Sequence, residues 1–300
     1  MRKLLIIALA MALTGCSQNP SARSITISQD QVRSISLDIT GSFTASRVVV
    51  LANGVAEIMQ SLNAQSIIVG RDISSTEKSL EGIPIVSSGH QVLPEKVIAL
   101  KPDLVLIDAS TGPRSAIETI KSAGISVIET PESWSIKDLH VKVRAVGRAI
   151  GAQEQAEQLI QELNTSLEIS SLKSSPRVAF LYLRGTSSIY LIGGQGSGAD
   201  SLLQAIGAID VGAQSLDRPF NTLTAESLAA LNPDVILVMS KGLESVGGVQ
   251  GLLKLPGVAQ TNAGKNSAVI DVDDSLLLSF GPRTPSLVEA LAVALSKVAP

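Results

Sequence analysis

Two stretches of this chain carry the same phrase. Residues 95 to 107 read Glu-Lys-Val-Ile-Ala-Leu-Lys-Pro-Asp-Leu-Val-Leu-Ile, and residues 226 to 238 read Glu-Ser-Leu-Ala-Ala-Leu-Asn-Pro-Asp-Val-Ile-Leu-Val. Each predicts a short helix, a break and a buried strand. Pro102 and Pro233 cannot continue a helix, and each disfavours helical geometry in the residue before it. The runs 104 to 107 and 235 to 238 are short, apolar and rich in branched residues, as strands covered on both faces are. One such unit is ordinary α/β structure. Two of them predict two similar lobes with a cleft between.

The rest of the chain fits that plan. A first lobe is expected over 31–135, with strands at 48–51, 67–70, 104–107 and 126–128. Helical stretches at 55–62, 95–100 and 115–123 alternate with them. A second lobe, 171–300, repeats the scheme with strands at 178–183, 235–238 and 269–272, and short helices after Asp200, Ala225 and Pro285. Strand and helix in alternation mean a parallel sheet. Between the lobes, 136–170 is of another kind. Leu139, Val143, Val146 and Ile150, then Ala156, Leu159, Ile160, Leu163 and Leu167, fall at helical spacing. The fold class is therefore α/β: two Rossmann-like lobes with central, mainly parallel sheets, joined by one long backbone helix that Gly151 bends. Such a joint favours small rocking over wide hinge closure.

The N-terminus bears on location. Arg2 and Lys3 precede an apolar run, 4 to 13, that is too short to span a bilayer comfortably. This is the charged start and apolar middle of a secretory signal peptide, 1–15. It ends Leu13-Thr14-Gly15-Cys16, which resembles a bacterial lipobox, in which the cysteine becomes the lipidated first residue. Cys16 is the only cysteine, so it has no disulfide partner within the chain. Residues 16–30 then read as a lipidated, polar tether. The expected location is the outer side of the cell membrane, held to the lipid bilayer through Cys16.

Composition excludes several classes. A net charge of −3 offers no basic field for nucleic acid. Two histidines and one lipidated cysteine supply few ligands for a zinc site. No Ser-His-Asp or paired-carboxylate constellation stands out, so a binding protein is expected rather than an enzyme.

With its paired Glu-x-x-x-Ala-Leu-x-Pro-Asp phrases, the chain resembles the solute-binding lipoproteins of ABC importers. More closely, it resembles the class III proteins with a single helical backbone, which bind siderophores, cobalamin or heme. In that family one glutamate on each lobe meets arginines on the permease dimer, which works with its ATPase. Carried over, these are Glu95 and Glu226. One exposed carboxylate per lobe suits a two-fold symmetric partner. Each is also an acidic residue in the first turn of a helix, where the dipole favours it. A monomer is expected.

His90 lies in Ser87-Ser-Gly-His-Gln-Val-Leu-Pro94, a loop at a strand end, where open α/β sheets bind ligands. Tyr182 and Arg184 are two apart on a strand and point the same way. Imidazole and tyrosine are both known iron ligands. Free tyrosine ionises only near pH ~10, but iron and a neighbouring arginine favour the anion. The arrangement resembles the hemin-binding lipoproteins of Gram-positive heme importers, which carry Ser-Gly-His in one lobe and Tyr-x-Arg in the other. The resemblance implies heme b as the transported ligand, with His90 and Tyr182 on the iron. Tyr190, on a strand at 189–192, is a second tyrosine expected to line the pocket. Arg71 and Arg283 are expected to reach the propionates. The glycine-rich 194–199 could offer helix amides to a propionate, or be a structural turn. Taken singly, His90 also reads as a plain loop histidine, Tyr182 as a core tyrosine and Arg184 as a surface cation. A ferric siderophore or cobalamin is the alternative ligand, although the chain is only 2% aromatic.

Overall fold

The computed structural model describes residues 23–38, 42–88, 91–167 and 172–299. The expected signal peptide, Cys16 and His90 lie outside the described residues.

The chain enters through β1 (Ser24–Ile27). This stretch was expected to belong to the tether, yet it is a strand of the second sheet. Its apolar residues alternate, and Ile27 is buried in the core of the second lobe. The first lobe follows, with β2 (Val48–Val50), α1 (Val55–Ser61), β3 (Ile68–Arg71), the short pair β4 (Ser87–Ser88) and β5 (Gln91–Val92), α2 (Pro94–Ala99), β6 (Leu104–Ile107), α3 (Arg114–Ser122) and β7 (Ser126–Glu129). Four of these strands form a parallel sheet in the order β3-β2-β6-β7. Successive valines of β2 feed opposite faces. Val48 and Val50 join Ile58, Met59 and Leu106 in one core cluster. Val49 joins Val97, Val105 and Ile120 in another. Both faces of the sheet are thus covered, which is why its strands read as unbroken apolar runs.

The segment between the lobes divides at Gly151 into α4 (Ile136–Ile150) and α5 (Gln153–Ser166). Ser135 caps the start, its hydroxyl accepting from the Asp138 amide. Gly151 ends α4 in the left-handed region at φ 80°, the usual role of glycine after a helix. The turn is sharper than the expected bend, because α5 folds back along α4. A Cβ on Gly147 would come within 2.5 Å of the Ala156 Cβ, and Arg144 Nε pairs with Glu157 Oε1 at 2.6 Å. The buried faces of both helices, Leu139 to Ile150 and Ala156 to Leu163, pack into the core of the first lobe.

The second lobe comprises β8 (Arg177–Arg184), β9 (Ile189–Gly193), α6 (Ala199–Ala205), β10 (Ile209–Asp210), α7 (Val211–Ser215), β11 (Phe220–Thr222), α8 (Ala225–Leu231) and β12 (Val235–Met239). After them come α9 (Ser240–Ser245), α10 (Gly248–Leu252), α11 (Asn262–Asn266), β13 (Val269–Val272), α12 (Asp274–Leu277) and α13 (Thr284–Val298). The sheet runs β1-β13-β12-β8-β9-β11, with β10 also paired to β8. Its β9 and β11 are antiparallel to their neighbours and the remaining pairs are parallel. The helix expected to be short after Pro285 is instead a long one. Its Leu287, Leu291, Leu295 and Val298 pack with Phe180, Leu237 and Ile270. Among the described residues, no helix is long and apolar enough to cross a membrane.

Candidate functional site

The lobes meet where their parallel strands end. Asn53, after β2, donates its amide to Asp108 Oδ2, after β6, at 2.8 Å. Its side-chain amide donates across to the Leu278 carbonyl at 3.3 Å. Lys142 of α4, 3% exposed, donates to the Ser279 carbonyl at 2.8 Å. Burial lowers the Lys142 ammonium to a pKa of about 8, against the pull of Asp108, Glu57 and Glu132.

Arg283 belongs to this junction and not to a propionate site. Its Nε lies 3.0 Å from Glu57 Oε2, and its Nη2 lies 2.9 Å from Glu77 Oε1. Nη2 also donates to the Ser275 carbonyl. A buried guanidinium between two carboxylates has no free face for a ligand. Burial pushes the Glu77 carboxyl up, and the opposing pull of Arg283 does not cancel it.

The rim of the second lobe is built from the carboxyl ends of β8, β12 and β13, three neighbouring strands. Tyr182 and Arg184 share one side of β8, as the period of a strand requires. The Arg184 Cζ stands 4.5 Å from the Tyr182 ring centroid, within cation–π range. The Tyr182 ring meets Phe220 edge to face, with centroids 5.6 Å apart and planes at 66°. Arg184 Nη1 donates to the Leu183 carbonyl at 2.9 Å, and Nη2 lies 3.4 Å from Asp274 Oδ1. The other Asp274 oxygen accepts the Lys241 amide at 2.9 Å.

The other expected residues separate from this group. Tyr190 pairs with Leu183 across the β8–β9 hairpin and packs against the cluster of Leu181, Leu183 and Leu228. That is the opposite face of the sheet from Tyr182, so Tyr190 does not line the same surface. Arg71 donates to the Ile83 and Ser75 carbonyls at 3.0 and 2.6 Å. Its guanidinium pins the loop after β3 rather than reaching for a ligand. In the glycine-rich turn, the Gly196 and Gly198 amides donate to the Asp200 carboxylate. They are already satisfied, which leaves the structural reading of that turn.

The flanks of His90 end near the first-lobe rim. Val92 donates its amide to the Gly112 carbonyl beyond β6, and Ser87 donates its hydroxyl to Asp72 beyond β3. Glu95 and Glu226 are both exposed in the first turns of α2 and α8. Neither has an ion-pair partner among the described residues. Each helix begins on the cleft side of its lobe. For α2 the mark is the Val92–Gly112 bond just before it. For α8 it is the Leu223 amide, which donates to Tyr190 opposite the end of β8.

Sequence reasoning missed Asp274, which meets Arg184. Asp274 follows β13 directly, and the strand-end rule applied to His90 would have found it. Trp134 is the only tryptophan. It is 40% exposed on the segment that leaves β7 for α4, with its Nε1 donating to Glu132 Oε2 at 2.9 Å.

Comparison with known proteins places this geometry. The family described as periplasmic binding protein matches residues 48–276. The crystal structure of the heme binding protein HmuT is 30% identical with a TM-score of 0.80, covering 92% of this chain and 97% of that one. HmuT variants with one histidine, one tyrosine or one arginine replaced by alanine match as well, the arginine lying two positions beyond the tyrosine. The periplasmic heme-binding protein RhuT from Roseiflexus sp. RS-1, in apo form, is 32% identical with a TM-score of 0.79, covering 87% of this chain and 100% of that one. The uncharacterized ABC transporter substrate-binding lipoprotein YvrC of Bacillus subtilis (strain 168) is 29% identical over 264 residues, 85% of this chain and 81% of that protein.

Proposed function

The chain belongs to the periplasmic binding protein family, and from that premise we propose that it captures heme between its lobes and delivers it to an ABC importer. One observation carries the proposal. Tyr182 and Arg184 stand together at the carboxyl end of β8, with the guanidinium 4.5 Å from the ring centroid. A tyrosine and an arginine have the same spacing in a heme binding protein of the same fold. Tyr182 supplies an oxygen donor to ferric iron, with the Arg184 guanidinium beside its ring. His90 supplies the ligand from the first lobe.

The remaining roles follow from the same reading. The protein binds and does not catalyse. It acts as a monomer on the outer side of the membrane, anchored through lipidated Cys16. Its lobes are 31–135 and 171–300, with β1 added to the second and the helical pair between them. Glu95 and Glu226 dock the permease dimer. The experiment is an absorption titration with hemin, a ferric siderophore and cobalamin in parallel. A Soret band that shifts and saturates with hemin alone is expected. Saturable binding of either other ligand, with no change on adding hemin, would transfer the function to that ligand.

A further inference from the structure

Trp134 is a large aromatic side chain left 40% exposed in a chain that is only 2% aromatic. A single exposed apolar residue is ordinary on a protein surface, but the segment around Trp134 is held from both lobes. On the first-lobe side, the Thr130 amide donates to the Ile107 carbonyl at 2.7 Å, which brings the chain after β7 to the carboxyl end of β6. Glu132 then accepts the Ser110 amide on Oε1 at 3.1 Å and the Trp134 Nε1 on Oε2 at 2.9 Å. The same loop after β6 carries Gly112, which pairs with Gln91, the neighbour of His90. On the second-lobe side, the Ile136 amide donates to Ser201 Oγ of α6 at 3.0 Å. Ile136, Tyr182 and Phe220 all pack against one core cluster of that lobe. Trp134 therefore stands between the loop that borders His90 and the cluster that borders Tyr182.

We infer that Trp134 is a ligand-contact residue whose indole stacks on the porphyrin plane, so that part of the affinity is for the macrocycle and not for its iron. The inference rests on the heme reading above. An indole has a flat π face and one polar edge. Here Glu132 takes the polar edge, which fixes the ring and leaves its face for a planar partner. A ring fixed beforehand loses less freedom when a ligand arrives. Axial ligation reads the metal alone, and a ferric siderophore presents iron too. A fixed indole between the lobes adds a preference for a flat, conjugated ligand.

The test uses metal-free protoporphyrin IX, which has no iron to ligate, beside hemin. Binding to the full-length protein is measured for wild type, Trp134→Ala, Trp134→Leu and Trp134→Phe. Val141→Ala, at another exposed apolar residue, is the control. Wild type is expected to bind both probes. Trp134→Ala and Trp134→Leu should weaken each by about tenfold, the upper end of what an aromatic pair contributes, and bound hemin should keep its axial ligation. Phenylalanine should recover most of the loss, and Val141→Ala should change nothing. Full binding of protoporphyrin by Trp134→Ala overturns the inference. So does full binding by Trp134→Leu, since leucine keeps apolar surface and lacks a ring, and so does a Trp134→Phe protein that recovers nothing. A wild type that binds hemin and not protoporphyrin overturns the inference and leaves the heme reading standing. A wild type that binds neither overturns both.

Discussion

Arg283 and Glu57 form an ion pair across the lobe junction, with Nε 3.0 Å from Oε2 and the side chains 8% and 1% exposed. Glu77 closes the group from the loop after β3. The first-lobe carboxylates and the second-lobe cation are all out of water. Each depends on the others to be tolerable there, since an unpaired buried charge is costly. The joint between the lobes is therefore electrostatic as well as helical.

Removing the cation should destabilise the protein strongly. Arg283→Met leaves two buried carboxylates facing each other, at a cost of roughly 3–5 kcal/mol. Thermal or denaturant unfolding measures it. A loss below about 1 kcal/mol would show that the group relaxes into water and does not bind the lobes.

Lys142 sets a pH dependence of its own. Its folded pKa, about 8, lies below the unfolded value. Between the two, the unfolded chain holds a proton that the folded chain lacks, so stability rises with pH through that window. The contribution is present above pH ~10.4, the ordinary lysine value, and is lost as pH falls through about 8. Lys142→Met should flatten the part of the stability curve between these limits, a difference of about 3 kcal/mol from end to end. Parallel pH curves for variant and wild type in that window would count against a buried, neutralising lysine.

Charge reversal at the two exposed glutamates should separate delivery from capture. The Glu95→Lys/Glu226→Lys protein is expected to bind hemin as the wild type does and to support no uptake. Normal uptake by this double variant would remove both residues from the docking surface.

Cys16→Ala should release the protein from the membrane, because the lipid is the proposed anchor. Fractionation decides it, and a variant still retained with the membrane would mean another attachment.

The sequence made the architecture legible where local chemistry and tertiary packing agree. Pro102 and Pro233 stop their helices wherever the lobes lie, and β6 and β12 are apolar throughout because both faces are covered. Tyr182 and Arg184 could be paired in advance because a strand's period is local. The failures share one cause, which is dependence on a distant partner. Tyr190 also lies on a strand, but its face is set by the hairpin register that puts it opposite Leu183. Arg71 and Arg283 read as free cations until the carbonyls of Ser75 and Ile83, or the carboxylates of Glu57 and Glu77, are brought to them. Ile25 and Ile27 alternate over only four residues, too few to mark a strand without Ile270 and Val272 beside them. Helical spacing continues across Gly151, and only the close approach of Gly147 and Ala156 shows that the chain doubles back.

The central claim is that Tyr182, with His90 from the other lobe, holds ferric heme. Its most direct test is the absorption spectrum of hemin added to the Tyr182→Ala/His90→Ala protein, beside the wild type and both single variants. Tyr182→Ala should lose the tyrosinate features and bind more weakly. His90→Ala should keep those features with an altered spectrum. The double variant should leave hemin with no specific ligation. A double variant that binds hemin with the wild-type spectrum and affinity would contradict the claim.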